Sequence, residues 1–152
     1  MKYDITVDVT TVSDKVGDTV QYPFYATEGA AGMDLCACLE QEIVLEPGAR
    51  VQVPTGIAIK MPPGVVALLF PRSGNAWRSG ITLSNAVGVV DQDYIGEIKV
   101  LLTNLGDKPF PVRPGDRVAQ MVFLPVLQAR LNLVDELEST ERGSGGFGST
   151  GR

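Results

Sequence analysis

The sequence contains no histidine, and this absence excludes several kinds of active site. The count is zero in 152 residues, so catalytic Ser-His-Asp and Cys-His groups and histidine-ligated metal centres are all excluded. A general base in this protein must therefore be a carboxylate.

Cysteines and long apolar runs are also scarce. Cys36 and Cys38 are the only cysteines, and on a strand they would share one face, where a disulfide between them would be strained. We expect two buried thiols, which fits a reducing cytosol. The longest apolar run, residues 65–70, is too short to cross a bilayer, and no apolar block follows residues 1–6. We therefore expect a soluble, cytoplasmic protein that does not associate with membranes.

Negatively charged residues outnumber positively charged ones. The chain has 13 Lys and Arg against 18 Asp and Glu, a net charge of −5, and non-specific nucleic-acid binding usually requires a basic surface. We expect no nucleic-acid partner. A polyanionic ligand would need arginines gathered at one place, or a metal ion.

Short segments rich in β-branched residues recur along the chain between turn signals. Proline and glycine at residues 46–48, 62–64 and 113–116 predict tight turns. Strand-like segments about ten residues apart favour a sandwich or jelly roll over βαβ units. Only residues 74–78 suggest a short helix. The predicted strands are residues 43–45, 50–53, 57–59, 65–70, 97–102 and 117–123.

The composition allows one core and changes near the carboxyl end. With 44% hydrophobic residues in 152, we expect one β domain over residues 1–141. Residues 142–152 carry five of the 17 glycines and one large apolar side chain, Phe147, so they cannot build a core. One interpretation is a disordered end. We favour a segment that closes over a ligand, because an aromatic ring stands among glycines and hydroxyls between Arg142 and Arg152.

Two short blocks are candidates for ligand binding. Asp34 follows glycines at a strand entrance, where the backbone can approach a ligand closely; the alternative is a turn residue that accepts from nearby amides. Arg72, Ser73 and Gly74 follow an apolar strand, so a guanidinium, a hydroxyl and backbone N–H groups can converge on phosphate. The alternative for this block is a plain strand-to-helix loop.

The densest group of polar residues lies between Leu83 and Ile98, in a predicted hairpin. An amide such as Asn85 offers a donor and an acceptor that suit a pyrimidine, and Tyr94 can pack against a sugar. The alternative is a solvated hairpin with Tyr94 in the core. Three carboxylates exceed what a turn requires. The group comprises Asn85, Gly88, Asp91, Asp93, Tyr94, Gly96 and Glu97.

A last block, residues 117–120, is predicted to alternate along a strand. Arg117 and Ala119 would face one way and Val118 and Gln120 the other. Arg117 can equally pair with Asp116 or another surface acid.

Together these blocks resemble the five motifs of the trimeric deoxyuridine triphosphatase (dUTPase) family, in the same order. The likeness extends from about Tyr22 to Arg152, and five matches in sequence are highly specific. The matching blocks are Ala31-Gly32-Met33-Asp34-Leu35, Pro71-Arg72-Ser73-Gly74, residues 88–97, Arg117-Val118-Ala119-Gln120 and residues 142–151.

The resemblance implies a jelly-roll-like β subunit in a homotrimer whose three active sites are each assembled from several subunits. It implies hydrolysis of dUTP to dUMP and pyrophosphate. Asp91 resembles the general base that directs water at the α-phosphorus. Asp34 resembles the acid that holds Mg²⁺ through water molecules, which suits an ion that keeps much of its hydration.

The remaining roles also follow from the resemblance. Arg72, Ser73, Gly74 and Gln120 would contact phosphate oxygens. Asn85 and the backbone near Gly88 would bind uracil, and Tyr94 would lie against deoxyribose. Phe147 would stack on uracil, while the tail residues Arg142, Gly148, Ser149 and Thr150 close over the phosphates.

The match is incomplete after the Arg-Ser-Gly block, and other activities remain open. Asn75 stands where the family more often has an apolar residue, and Trp77-Arg78 is an uncommon continuation. A deoxycytidine triphosphate deaminase would share the fold, but residues 91–94 and the tail suit it poorly. A regulatory protein that keeps this scaffold, as some phage members are thought to do, and a structural jelly-roll protein are more distant alternatives.

Overall fold

The computed structural model describes residues 5–146 of the chain. Its secondary structure is of the predicted all-β class with one short helix, and every pairing between its strands is antiparallel. In chain order the elements are β1 (Asp8–Thr11), β2 (Met33–Cys36), β3 (Ile43–Leu45), β4 (Arg50–Lys60), β5 (Val65–Phe70), α1 (Ser73–Ser79), β6 (Ile81–Leu83), β7 (Gly88–Val90), β8 (Glu97–Asn104), β9 (Phe110–Val112) and β10 (Arg117–Pro125).

Two four-stranded sheets provide the core. One has the strand order β1-β4-β8-β6 and the other β2-β10-β5-β7, while β3 and β9 form a separate two-stranded sheet. Leu35 and Met121 from one sheet and Val53, Val100 and Leu102 from the other belong to the same cluster of buried side chains. Burying one face of each sheet against the other gives the sandwich that the strand pattern predicts.

The predicted turns are confirmed by their backbone geometry. Gly48, Gly64 and Gly115 have φ angles of 77°, 79° and 81°, in the left-handed region that glycine adopts without a steric penalty. Each follows a proline, whose fixed φ suits the preceding turn position.

The predicted strands at residues 50–53 and 57–59 form one bent strand, β4. Its pairing with β8 shifts between Pro54 and Ala58, and Gly56 between them has φ +72°. A Cβ atom on Gly56 would lie 2.6 Å from Val16 Cγ2 and 2.8 Å from Cys38 Sγ. Gly56 thus permits an irregularity that bends the strand without ending it.

A buried amide joins the end of β8 to two nearby segments of the same chain by hydrogen bonds. Asn104 is fully buried, and its Nδ2 donates to the carbonyl oxygens of Leu45 and Lys108, each at 2.8 Å. Its Oδ1 accepts from the Gly106 N–H at 2.8 Å. Because the buried amide has partners for both donors and for its oxygen, it avoids the cost of an unsatisfied polar group.

The two cysteines are buried and unpaired, as expected. Burial, together with the nearby Asp34 carboxylate, raises the pKa of the Cys36 thiol. A raised pKa keeps this sulfur protonated and unreactive at neutral pH. Within the described part of the chain, no helix has the length and apolar character needed to span a bilayer.

Candidate active site

The segment between Leu83 and Ile98 crosses between the two sheets and is not the predicted hairpin. β7 pairs with β5, with Gly88 opposite Leu69, whereas β6 pairs with β8 in the other sheet. The prediction was wrong because alternating side chains indicate a strand but do not identify its partner. As a result, residues 91–96 form a connection from one sheet to the other.

A pocket of about 340 Å³ lies beside this connection. Four predicted site residues line it together, namely Asn85, Gly88, Asp91 and Tyr94. Its volume falls in the range of roughly 300–1,000 Å³ that is usual for small-molecule sites. The Asn85 and Asp91 side chains are exposed, so an amide and a carboxylate are both available to a ligand.

Tyr94 lies on the pocket wall and not in the core. It is 47% exposed, and its hydroxyl donates to the Glu97 carbonyl oxygen at 2.9 Å. A Cβ atom on Gly96 would lie 2.6 Å from the Tyr94 hydroxyl oxygen, so the ring packs closely over Gly96. The alternative of a core tyrosine is wrong, and the ring is held where a ligand can pack against it.

Asn85 stands next to a residue in an unusual conformation. Ala86 has φ 62°, a left-handed conformation that costs a residue with a Cβ atom about 1–2 kcal/mol. The Ala86 N–H donates to the Leu83 carbonyl at 3.1 Å, and the Val87 N–H donates to the Asn85 carbonyl at 2.7 Å. These bonds hold a tight turn that presents Asn85 to the pocket.

Sequence reasoning missed two polar residues of the pocket, Gln52 and Lys99. Glu97, Lys99 and Leu101 all line it, and their spacing of two along β8 was the available signal. Lys99 Nζ lies 3.9 Å from Glu97 Oε2, and Glu97 Oε1 accepts from the Gly56 N–H at 2.9 Å. Glu97 therefore fixes the bend of β4 against the pocket wall.

A second group of site residues is organised around Asp34. This residue is 8% exposed in β2, and its carboxylate accepts from Arg72 Nε at 3.1 Å and from Arg117 Nη1 at 2.9 Å. Asp34 is therefore not a turn residue, and Arg117 is paired with it and not with Asp116. Two guanidinium groups around one carboxylate leave a net positive charge, which suits an anionic ligand.

The Arg-Ser-Gly block opens a helix, as predicted. α1 (Ser73–Ser79) has Arg72 as its N-cap, and the Arg72 carbonyl accepts from the Asn75 and Ala76 N–H groups at 3.1 and 3.0 Å. The first N–H groups of a helix have no partner within it, so Ser73 and Gly74 offer donors beside the Arg72 guanidinium. Asn75 Nδ2 donates to the Arg117 carbonyl at 3.4 Å, so this departure from the family pattern joins α1 to β10 by a polar contact.

Gln120 reaches the same block from β10. Its Nε2 donates to the Pro71 carbonyl at 3.0 Å, and a Cβ atom on Gly32 would lie 2.8 Å from its Oε1. The predicted alternation over residues 117–120 is wrong, because Val118 and Ala119 are both buried. The pairing of β10 with β2 shifts between Arg117 and Ala119, and such a bulge interrupts the strict alternation of faces.

The predicted residues thus lie in two groups within one chain. Arg72, Ser73, Gly74 and Gln120 are not among the residues that line the Asp91 pocket. Arg142 is exposed, and its Nε donates to the Gly145 carbonyl at 3.1 Å within its own turn. Phe147, Gly148, Ser149 and Thr150 lie outside the described residues.

Asp34 fits a water-mediated contact with magnesium better than a direct one. Within residues 5–146, no three carboxylate or thiol side chains lie close enough together to hold a metal ion. Each Asp34 oxygen already accepts one guanidinium hydrogen bond, and a carboxylate oxygen has capacity for a second donor such as water. Mg²⁺ keeps several waters and takes direct ligands from substrate phosphates, so Asp34 fits the ion only as a water-mediated contact to a phosphate-bound Mg²⁺.

Comparisons with known proteins agree on one family. The family model for dUTPase matches residues 18–151. The deoxyuridine 5'-triphosphate nucleotidohydrolase of Citrobacter koseri is 49% identical over 147 residues, which cover 96% of this chain and 97% of that protein.

Solved structures show the same fold. A point mutant of the Staphylococcus bacteriophage 80alpha dUTPase, solved with dUpNHpp, is 25% identical and has a TM-score of 0.81 over 97% of this chain and 99% of that one. A mutant dUTPase from phage phi11 of S. aureus, described with a structural Mg(II) ion, is 22% identical with a TM-score of 0.75 over 86% of this chain and 97% of that one. The chain belongs to the dUTPase family, whose members are dUTP diphosphatases.

Proposed function

We propose that this chain hydrolyses dUTP to dUMP and pyrophosphate, which limits uracil in DNA and supplies dUMP for thymidylate synthesis. The observation that carries the proposal is the pocket in which Asp91 stands beside Asn85, Gly88 and Tyr94. This pocket offers one reactive carboxylate together with groups suited to a base and a sugar. Membership of the dUTPase family supports the choice of nucleotide.

Asp91 is the general base in this proposal. Its exposed carboxylate accepts a proton from a water molecule and orients that water for in-line attack on the α-phosphorus. The new bond joins the water oxygen to the α-phosphorus, and the bond to the bridging oxygen of pyrophosphate breaks. A positioned base of this kind contributes roughly 10²- to 10⁴-fold to the rate. Because the chain has no histidine, a carboxylate is the expected group.

Asn85, Gly88 and Tyr94 provide the specificity. The Asn85 amide donates hydrogen bonds to the uracil edge and accepts hydrogen bonds from it, and so does the backbone at Gly88. Tyr94, held by its hydrogen bond to the Glu97 carbonyl, packs against the deoxyribose and leaves no room for a ribose 2'-hydroxyl. A site whose polar groups require a matching substrate edge discriminates strongly against analogues that leave them unpaired.

The group around Asp34 binds the triphosphate. Arg72, Ser73 and Gly74 at the start of α1, together with Gln120, place donors where negative charge builds on the leaving pyrophosphate. Asp34 holds the Arg72 guanidinium in place and would hold Mg²⁺ through water molecules. When bound, Mg²⁺ supplies positive charge to the phosphate oxygens.

A homotrimer with shared active sites brings the two groups together. In one chain the phosphate-binding residues do not line the Asp91 pocket, and in this proposal a second subunit supplies them. Exposed leucines between residues 127 and 137 support association, since a surface this apolar is usually covered by a partner. These are Leu127, Leu131, Leu133 and Leu137, which are 88–100% exposed. Light scattering is expected to report three subunits, and a stable, active monomer would contradict shared sites.

In this proposal residues 1–141 form the single β domain and residues 142–152 close over the site. Phe147 stacks on uracil, while Arg142, Gly148, Ser149 and Thr150 cover the phosphates and exclude bulk water. Glycine-rich segments lose much conformational entropy on ordering, so a bound nucleotide is needed to close this one.

A substrate comparison tests the proposed activity. Pyrophosphate release with Mg²⁺ is measured for dUTP, dCTP, dTTP and UTP at equal concentrations, and ammonia release is followed with dCTP. We expect rapid pyrophosphate release from dUTP alone. Ammonia from dCTP would indicate a deaminase, and tight binding of dUTP without turnover would indicate a regulatory protein.

A further inference from the structure

The turn that carries Asp91 is attached to the rest of the fold through Gln92. The Gly64 N–H donates to Gln92 Oε1 at 2.7 Å, and Lys60 Nζ donates to the Gln92 carbonyl oxygen at 3.4 Å. Asp91, Asp93 and the residues that follow as far as Ile95 are exposed. Among the described residues, Gln92 makes the only hydrogen bonds between residues 91–95 and a part of the chain distant in sequence.

The anchor at Gly64 is itself held firmly. It follows Pro62 and Pro63, whose rings fix φ. Its carbonyl accepts from the Val126 N–H at 2.9 Å, and the adjoining Val65 pairs with Pro125 at the end of β10. A hydrogen bond to this turn therefore restrains residues 91–94 relative to a rigid part of the sheet.

Gln92 itself stands outside the pocket. Asp91 and Tyr94 line the pocket, and Gln92 is not among its lining residues. The bond direction is fixed, because a backbone N–H can donate only to the amide oxygen. The contact therefore depends on an acceptor at the end of a side chain of this length.

We infer that Gln92 is a positioning residue for the Asp91 carboxylate, acting through the Gly64 N–H. This inference rests on the proposed function, because it assumes that Asp91 directs the attacking water. Losing the bond allows the carboxylate of Asp91 to shift, while Tyr94 keeps its own hydrogen bond to the Glu97 carbonyl and the Asn85 turn keeps its backbone hydrogen bonds. A base moved by about 1 Å costs up to about 10²-fold in rate, and a partly restrained turn is expected to lose less.

The test uses Gln92→Met, which keeps the side-chain length and removes the acceptor, and Gln92→Glu, which keeps an acceptor oxygen. Gln41→Met is the control, because Gln41 is exposed and is remote from residues 91–94 in sequence. Steady-state kcat and KM for dUTP are measured with the full-length chain, alongside thermal unfolding. The unmodified chain is assayed first, so an inactive parent would count against the proposed function and not against Gln92.

We expect Q92M to lower kcat about tenfold with KM changed less than about twofold, a loss confined to the chemical step. We expect Q92E to recover most of kcat and Q41M to match the parent. Wild-type kcat in Q92M, equal losses in Q92M and Q92E, or a raised KM with unchanged kcat would each overturn the inference. If Q92M failed to fold, Gln92→Thr, which is too short to reach Gly64, would take its place with the same expected outcomes.

Discussion

Replacing Asp34 by Asn tests whether this residue serves the arginines or the metal. The Asp34 side chain is 11% exposed, and its carboxylate accepts hydrogen bonds from both Arg72 and Arg117, at 3.1 and 2.9 Å. Asn is isosteric, but its NH₂ group would face one guanidinium and its oxygen would keep only one of the two bonds. The substitution therefore removes one charge and one hydrogen bond without creating a cavity.

The size of the effect follows from these contacts. Hydrogen bonds to charged groups contribute about 1.5–3 kcal/mol each. The side chains of Arg72 and Arg117 are 25% and 44% exposed, and partial exposure to solvent reduces the gain. We expect Asp34→Asn to lower the free energy of unfolding by about 2 kcal/mol, which corresponds to about 4–8 °C in Tm for a chain of this size.

The catalytic consequence separates the two roles. With the negative charge and one of the two hydrogen bonds removed, the guanidinium groups repel each other and shift, so we expect kcat/KM for dUTP to fall about 10²-fold. Saturating magnesium would restore a metal-binding role but cannot restore the position of the arginines. Recovery of full activity at high Mg²⁺ would therefore refute the arginine-anchoring role.

The control for this experiment is a carboxylate–arginine pair at the surface. Glu42 accepts from Arg113 Nε at 2.6 Å, and the two side chains are 43% and 65% exposed. Pairs of this kind contribute about 0–1 kcal/mol, so Glu42→Gln is expected to leave both Tm and kcat nearly unchanged. An equal loss of stability in both variants would show that burial of Asp34 does not matter.

Three further outcomes are expected. Gly56→Ala should lower the free energy of unfolding, measured with denaturant, by at least about 2 kcal/mol more than Gly48→Ala does. Both glycines have positive φ, but only at Gly56 would a Cβ atom meet neighbours, at 2.6 and 2.8 Å. Equal losses in the two variants would contradict the tight packing at Gly56. Asn104→Ala should lower the free energy of unfolding by about 2–4 kcal/mol, since it leaves buried backbone groups without partners. A change below about 0.5 kcal/mol in the same assay, which is typical of surface sites, would contradict that role. Deleting residues 142–152 should abolish most dUTP turnover while circular dichroism and Tm stay as in the parent, and a fully active truncation would restore the interpretation of these residues as a disordered end.

Local chemistry in the sequence was sufficient to place most strands and turns. Residues 65–70 are continuously apolar and residues 117–123 are mostly apolar, and both lie in strands, β5 and β10. Proline followed by glycine marks Gly48, Gly64 and Gly115, whose φ angles are all positive. Such signals depend on neighbouring residues only, so no knowledge of the tertiary structure is needed to use them.

The pairing of strands and the bulges within them could not be predicted from these local signals. β7 pairs with β5 and not with β8, and the bulges in β4 and β10 depend on packing against other strands. The Asp34 contacts to Arg72 and Arg117 join residues 38 and 83 positions apart. A salt bridge over such a separation leaves no periodic trace in a single sequence, so the shared anchor of the two arginines emerged only from the structure.

The role of Asp91 is tested most directly by single-turnover hydrolysis of dUTP with the Asp91→Asn variant, with dUTP affinity measured on the same preparation. Asn preserves the shape of the side chain and its place in the pocket but cannot accept the proton of the attacking water. We expect dUTP affinity within about threefold of the parent and a rate lower by about 10²- to 10⁴-fold. Turnover at the parent rate with normal affinity would contradict the assignment of Asp91 as the base.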